Sequence, residues 1–196
     1  LGGLDQALWS AQRFLDEARV TFSPGVNEDL AATAVWGTQQ VGLHPGARHD
    51  GVFALWYGKA PGVDRSCDAF RHANAAGTAP HGGVLLVAGD DHGCKSSTLP
   101  SQSGFTLMDL GIPVLDPASV QDVIDFGLLG WALSRYAGLW CGLIALADTM
   151  DSTATVDAGA ERRIVVPEDF ALPPEGLSIR LQDDPLAQER RLVEHR

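Results

Sequence analysis

The segment of this chain best suited to chemistry is an apolar stretch that runs directly into polar residues. Residues 81–100 read HGGVLLVAGDDHGCKSSTLP, so that VLLVA is followed at once by two carboxylates and then by a lysine and several hydroxyls. In open parallel sheets the ligand crevice lies beyond the carboxyl ends of the strands. Polar side chains at this point are therefore candidates for ligand binding: Asp90, Asp91, Lys95, Ser96 and Ser97.

This loop resembles a phosphate-binding loop only superficially. Such a loop has four residues between its first glycine and a Gly-Lys-Ser/Thr triplet, whereas here three intervene and Cys94 separates Gly93 from Lys95. The two carboxylates would also repel a phosphate unless a metal lay between them. Nucleoside triphosphate binding is therefore not expected. A divalent-cation site and ordinary capping of the loop both remain open.

The chain carries many more acidic than basic side chains. Its 196 residues hold 25 Asp and Glu against 14 Lys and Arg, a formal net charge of −11. Nucleic-acid binding depends on basic residues that neutralise phosphates, so no nucleic-acid partner is expected. No apolar run approaches the roughly 20 residues that span a bilayer, so no membrane partner is expected either. Three widely spaced cysteines favour a reducing cytoplasm and predict no metal site: Cys67, Cys94 and Cys141.

Apolar periodicity alternates between helical and strand patterns along the chain. Helices are predicted at residues 4–18, 28–40, 64–76, 102–110 and 120–136. Strands are predicted at residues 20–22, 51–57, 84–88, 112–115 and 139–146. This alternation predicts an α/β fold with three layers, in which a mostly parallel sheet is covered by helices on both faces.

The end of the chain has a different character. Residues 162–166 have a strand-like pattern, but several prolines and dense charge follow. Such composition is typical of connecting segments. We therefore expect the core to end near residue 157, and residues 158–196 to form a linker or extension towards a further domain.

Glu28 lies in the first turn of the predicted 28–40 helix, directly after Asn27, a good helix cap. Taken alone, an acid at this position complements the helix dipole and needs no functional explanation.

Three long segments, read in order, suggest more than that. They are PGVNEDLAATAVWGTQQ at residues 24–40, FALWYGKAPGVDRSCDAFRHANAAG at 53–77 and GDDHGCKSSTLPSQS at 89–103. In this order they resemble the indolepyruvate ferredoxin oxidoreductase family, and the likeness covers essentially the whole chain. The resemblance implies a Rossmann-like, thiamine-diphosphate-binding fold of the pyrimidine type over residues 1–157. It also implies a piece of a longer enzyme, a fragment that does not turn over alone.

The resemblance carries an activity, cofactors and partners with it. Members of the family oxidatively decarboxylate 2-oxo acids, typically arylpyruvates, to acyl-CoA and pass electrons to ferredoxin. The implied cofactors are thiamine diphosphate with Mg²⁺, the metal being held by a domain outside this chain, and 4Fe-4S clusters elsewhere in the parent protein. The implied partners are the 2-oxo acid, CoA, ferredoxin, the diphosphate-binding and iron–sulfur domains of the parent polypeptide, and a second copy in a homodimer.

On this resemblance Glu28 is the cofactor glutamate. Its carboxyl group would bond to the pyrimidine N1′ and promote the tautomer that takes the proton from the thiazolium C2. Gly62 and Asp64, on a turn at residues 58–65, are implied to contact the cofactor, and Arg65 could pair with a substrate carboxylate. The substrate pocket is implied to be lined by Lys59, Arg65, Asp90, Asp91, Ser96, Ser97 and Gln102.

The chain departs from the family pattern at residues 101–104. Relatives have His-Gln-Ser-Glu there, whereas this chain has Ser-Gln-Ser-Gly, so an imidazole and a carboxylate are missing. A different substrate or impaired activity would follow. Two alternatives to the enzyme also stand: a non-catalytic scaffold domain of the same fold, and a small-molecule or metal-binding α/β module that uses Asp90 and Asp91.

Overall fold

The computed structural model describes residues 2–159 and 161–196 as alternating strands and helices. The strands are β1 (Phe53–Lys59), β2 (Gly83–Asp90), β3 (Val114–Leu115) and β4 (Trp140–Leu146). The helices are α1 (Leu4–Ser10), α2 (Gln12–Glu17), α3 (Glu28–Thr38), α4 (Ala60–Ala76), α5 (Gly104–Asp109), α6 (Val120–Ala137), α7 (Ala147–Met150) and α8 (Pro185–Glu194).

The four strands form one parallel sheet in the order β1-β2-β4-β3. All eight residues of β2 are buried, as are six of the seven residues of β4. Continuous apolar strands of this kind belong to parallel sheets that are covered on both faces. The parallel sheet predicted from the sequence is confirmed, with β1 and β3 as its edges.

Alternate residues of β2 contact helices on opposite faces. Leu86 lies in a buried cluster with Phe70 of α4, and this cluster also takes in residues of α3 and α5. Leu85 lies in a second cluster, against Trp131 of α6. Because successive strand side chains point to opposite faces, α3, α4 and α5 cover one face and α6 covers the other. The three-layer α/β architecture is therefore confirmed.

A helix begins where the sequence predicted a turn. The residues Gly-Lys-Ala-Pro-Gly at 58–62 suggested a break that would delay the helix to residue 64, but α4 begins at Ala60, directly after β1. Pro61 is compatible with this start, because a proline in the first helical turn has no N–H whose intrahelical bond would be lost. Gly62 consequently lies in the first turn of a helix, and Asp64 follows it within the helix, rather than on a loop.

Residues 20–22, predicted as a strand, are irregular, and so are residues 162–166, which have a strand-like pattern. Most of their apolar side chains are exposed: Val20, Ile164, Val165 and Val166. Phe22 contacts Trp9 edge to face, with 5.3 Å between ring centroids, and Ile164 lines a groove beside α6. The predicted 4–18 helix is likewise divided into α1 and α2 at Ala11. Neither piece buries a residue, so tertiary packing does not enforce one continuous helix.

The C-terminal residues contain a packed helix where the sequence predicted a linker. Helix α8 contacts α4, and its Arg191 is only 4% exposed. Arg191 pairs with Asp183 and donates to the carbonyl oxygens of Gly176 (2.7 Å) and Ser178 (2.9 Å). Charge-assisted bonds to several acceptors fix this segment in place. Residues 176–196 are therefore held against the α/β core.

Gln39, at the end of α3, joins this helix to the amino ends of β1 and β2. Its side chain is fully buried. The Oε1 atom accepts from the backbone N–H groups of Ala79 (3.3 Å) and Gly83 (3.1 Å), and Nε2 donates to the carbonyl oxygen of Val52 (2.9 Å). One amide thus satisfies three backbone groups that helices and strands leave unpaired.

We expect Gln39→Leu to lower the free energy of unfolding by about 2–4 kcal/mol, because each buried polar group that loses its partner costs about 1–3 kcal/mol. Gln40→Leu is the matched control, since Gln40 is exposed, and its effect should stay within about 0.5 kcal/mol. Urea unfolding followed by circular dichroism measures both. Equal stabilities of the two variants would contradict the assigned role of Gln39.

Candidate functional site

The predicted site residues meet at the carboxyl edge of the sheet. Lys59 ends β1, Gly62 lies in the first turn of α4, and the loop from Asp90 follows β2. Glu28 reaches the same edge from the first turn of α3, where it contacts both β1 and α4. The structure therefore brings together residues that are more than 60 positions apart in the sequence, since Glu28 and Asp90 differ by 62.

Two hydrogen bonds fix the amino end of α3. The Oδ1 atom of Asn27 accepts from the N–H of Leu30 at 2.9 Å, which makes Asn27 the helix cap, as predicted. The indole Nε1 of buried Trp56 donates to the carbonyl oxygen of Glu28 at 3.0 Å. The backbone of Glu28 is thereby held on β1. Its side chain lies at the amino end of α3, where the helix dipole favours negative charge.

The side chain of Glu28 packs directly on Gly62. A Cβ atom at position 62 would lie 2.7 Å from the Cγ of Glu28, closer than side chains approach one another. Gly62 is buried, whereas Glu28 is half-buried. Among residues 2–159 and 161–196, no hydrogen bond or ion pair engages the Glu28 carboxylate. Its two oxygens thus keep their capacity to accept hydrogen bonds.

Arg65 is paired within the chain. Its Nε lies 3.0 Å from Oδ1 of Asp29, the residue next to Glu28, and the two side chains are 55% and 42% exposed. An exposed pair of this kind stabilises by only about 0–1 kcal/mol, so exchange of Asp29 for a ligand carboxylate costs little. Asp64, on the same turn of α4, is exposed to solvent.

Lys59 connects β1 to the loop at residues 89–103. Its Nζ donates to the carbonyl oxygen of Ser96 at 2.5 Å. Lys95 anchors the same loop on the other side, where its Nζ lies 3.0 Å from Oδ2 of Asp151 and 3.6 Å from Oδ1 of Asp148. The hydrogen bond with Asp151 raises the pKa of Lys95 above its ordinary value. Both lysines therefore tie the loop to neighbouring elements.

Asp90 and Asp91 organise the loop from within. Asp90 is 3% exposed and accepts from the N–H (2.8 Å) and the hydroxyl (2.7 Å) of Ser103. Asp91 accepts from the N–H groups of Ser96 (2.7 Å) and Lys95 (3.0 Å). These backbone bonds, with that of Ser96 the stronger, lower the pKa of Asp91. The capping interpretation of this pair thus has direct geometric support.

Residues 101–103 contribute to the loop as well. Ser103 is the partner of Asp90, which the sequence did not indicate. The hydroxyl oxygens of Ser97 and Ser101 are buried and have no hydrogen-bond partner among the described residues. Buried hydroxyls without a partner are uncommon in native structures, where ordered water or an ion often binds them. Gln102 is exposed.

Sequence reasoning missed the residues that position this site: Trp56, Asp29 and Ser103. Trp56 lies on an apolar strand, where core packing is the ordinary expectation, and its bond to Glu28 spans 28 positions. Asp29 carried one signal, since it is the second acid in the first turn of α3.

Two of the three cysteines are unsuited to nucleophilic chemistry, because burial raises the pKa of their thiols. Burial raises the pKa of the Cys141 thiol to about 12. Burial is also the largest cause that raises the pKa of Cys67. Thiols of this kind stay protonated at neutral pH and are inert.

Across residues 2–159 and 161–196, no three His, Cys, Asp or Glu side chains are grouped so that they could hold a metal ion. Within those ranges, no helix has the length and apolar character needed to cross a membrane.

Comparison with models of known protein families gives no match for this chain, and comparison with curated proteins gives none either.

We expect Asp91→Asn to destabilise the protein at neutral pH and to have less effect in acid. A lowered pKa stabilises the folded state only while the carboxylate is ionised. The difference from wild type should therefore be complete above the ordinary Asp value of 3.8 and should shrink as the pH falls through the lower folded-state pKa. Thermal unfolding between pH 2 and 7, with exposed Asp116→Asn as the control, measures this. A difference that does not change with pH would argue against it.

Proposed function

We propose that this chain is the pyrimidine-binding domain of a thiamine-diphosphate-dependent 2-oxo acid ferredoxin oxidoreductase of the indolepyruvate type, which oxidatively decarboxylates 2-oxo acids to acyl-CoA. The observation that carries the proposal is the contact between Glu28 and Gly62 at the carboxyl edge of the sheet. The sequence resemblance assigns both residues to the cofactor. Their direct contact in the fold supports that assignment.

The residues at this edge fit the aminopyrimidine end of the cofactor. Glu28 offers a half-buried carboxylate that accepts hydrogen bonds, and the missing side chain of Gly62 allows a flat ring to approach the backbone. The unsatisfied hydroxyls of Ser97 and Ser101 offer further polar contacts.

The same edge does not suit the diphosphate end of the cofactor. Lys59 is bonded to the loop and Lys95 to two carboxylates, while Asp90 and Asp91 add negative charge. Like charges would repel a diphosphate. This fits the expectation that a partner domain holds the diphosphate and its Mg²⁺.

The chemistry divides between cofactor and chain. When bound, the cofactor supplies the electron sink at which a 2-oxo acid loses CO₂. Glu28 holds and releases a proton at the ring nitrogen, which makes it a general acid–base group. The helix dipole stabilises negative charge at this position, whereas a bound ligand would bury the carboxylate further. A half-buried position allows ligand binding to complete that burial.

The remaining residues bind substrate and exclude water. Arg65 can exchange Asp29 for the carboxylate of the 2-oxo acid, since the exposed pair is weak. The loop at residues 89–103, held by Lys59 and Lys95, covers the edge from the side of β2.

We expect Glu28→Gln in the intact polypeptide to weaken thiamine diphosphate binding about 10- to 100-fold, because hydrogen bonds to charged groups contribute about 1.5–3 kcal/mol. Turnover of an arylpyruvate should fall by about 10²- to 10⁴-fold, the usual loss for a general acid–base group. Fluorescence titration and ferredoxin-coupled assays measure the two effects.

Asp29→Asn is the matched control for cofactor affinity, since it removes the same charge from the same helical turn. Its thiamine diphosphate affinity should stay near wild type. Unchanged turnover in Glu28→Gln would contradict the role assigned to Glu28. Absence of thiamine diphosphate binding by the wild-type polypeptide would favour a scaffold role.

We expect Gly62→Ala to reduce cofactor affinity about tenfold, a change of about 1.4 kcal/mol, because the new methyl group displaces Glu28. Gly37→Ala on α3 is the control, since a Cβ there meets nothing within 4 Å. The same titration compares the two variants. Equal affinities would mean that the Glu28 contact does not position the carboxylate for binding.

A further inference from the structure

The amino edge of the sheet carries a second concave region, opposite to Glu28. An open cavity of about 490 Å³ lies just before β1 and β2. Strands of seven and eight residues place this edge about 20 Å from the carboxyl edge. The cavity is lined by Arg48, His49, Asp50, Gly51, His81 and Arg135.

Basic groups predominate in this cavity, although the chain as a whole has a net charge of −11. Two arginines and two histidines face one acid, Asp50, so that the lining has a formal charge of +1 when both imidazoles are neutral. A net positive lining in an acidic protein favours the approach of anions.

The segments that form the cavity are fixed against one another. A Cβ atom on Gly51 would lie 2.1 Å from the carbonyl oxygen of His81, so the loop before β1 is in close contact with the approach to β2. Arg135 comes from the last turn of α6, and its Nη2 lies 2.8 Å from Nδ1 of His81. Its guanidinium carbon lies 5.7 Å from the ring centroid of Phe53.

The contact between Arg135 and His81 determines which donors remain. Arginine can only donate, so Nδ1 of His81 accepts and the ring carries its proton on Nε2. The imidazole therefore presents an N–H donor, and Arg135 retains further N–H groups. Guanidinium and imidazole N–H groups are the donors that bind phosphate and carboxylate.

An apolar groove of about 770 Å³ adjoins this cavity, and Arg135 and Phe53 connect the two. The groove is lined by Phe53, Pro80, Leu128, Trp131, Ala132, Arg135, Tyr136, Ile164 and Val166. Phe53, the first residue of β1, has an apolar side chain that is nevertheless 51% exposed. This volume lies within the range of small-molecule pockets.

The walls of the groove are held in place by polar bonds. The indole Nε1 of Trp131 donates to the carbonyl oxygen of Ala54 at 2.9 Å. Arg162 pairs with Asp125 of α6, lowers the pKa of that carboxyl group, and so anchors the segment that contains Ile164. The groove is thus built before a ligand arrives, which reduces the entropy lost on binding.

We propose that the cavity and the groove together form one binding site for a small amphipathic organic anion. A phosphate or carboxylate head group lies against Arg48, Arg135 and His81, and an aromatic or branched aliphatic body lies along Trp131 in the groove. The site is independent of the proposed cofactor site, because it occupies the opposite edge of the sheet and uses none of its residues.

Phenyl phosphate and phenylacetate are the probes, with inorganic phosphate and benzyl alcohol representing the head and the body alone. Calorimetric titration of the chain should show that at least one combined probe binds about tenfold or more tightly than either part. The stronger of the two combined probes identifies the head group. Equal affinities for phenyl phosphate, phenylacetate and the separate parts would overturn the proposal.

Paired variants locate the binding. Arg135→Gln should weaken the better probe about tenfold or more, whereas Arg190→Gln, which removes an exposed guanidinium outside both cavities, should not. Leu128→Asn should weaken binding, whereas Leu129→Asn, its exposed neighbour outside the groove, should not. Equal effects within either pair would refute the site.

Two further variants guard against ambiguous results. Arg48 lies on an exposed loop, so Arg48→Gln tests binding of the head group if Arg135→Gln impairs folding. Glu28→Gln should bind the better probe as wild type does, so failure of the cofactor proposal would leave this result unaffected. Retained affinity in Arg48→Gln, together with an unfolded Arg135→Gln, would count against the proposal.

Discussion

Strand β2 is the element on which the rest of the structure depends. It is hydrogen-bonded to β1 on one side and β4 on the other, and all eight of its residues are buried. A strand in this position cannot carry charge along its length without a large desolvation cost. Polar groups can therefore enter only at its ends, and the molecule places its chemistry at the two edges of the sheet.

The two edges have opposite charge. At the carboxyl edge, Asp90 and Asp91 are satisfied by the loop that they organise, while the Glu28 carboxylate rests on Gly62. At the amino edge, Arg48 and Arg135 face a cavity that adjoins an apolar groove. Because the strands separate the edges by about 20 Å, beyond a Debye length of about 8 Å, ligands at one edge have little electrostatic effect at the other.

The contacts around Glu28 fall into two classes with different consequences. The bond from Ser103 to Asp90 is buried and that from Trp56 to Glu28 is partly buried, and both hold the backbone. The pairing of Arg65 with Asp29 and the bond from Lys59 to Ser96 are exposed and therefore weak. Such a site has a rigid base and a rim that can rearrange around a ligand at small cost.

The sequence by itself determined the parallel α/β sheet, because a strand such as VLLVAGD and an amphipathic helix have different apolar periods. It also determined the cap at Asn27 and so the start of α3. Both depend on residues that are close in the chain. The short apolar segment at residues 20–22 was wrongly predicted as a strand, since a strand exists only where a neighbouring strand can bond to it.

Only the tertiary structure decided what each polar group at the edges contacts. Three contacts join residues that are far apart in the sequence. Glu28 packs on Gly62, Ser103 is hydrogen-bonded to Asp90, and α8 packs on α4. The amino-edge cavity has the same origin, since Arg48, His81 and Arg135 come from three separate segments. Local patterns record which face of an element is apolar, but not which distant side chain will lie beside it.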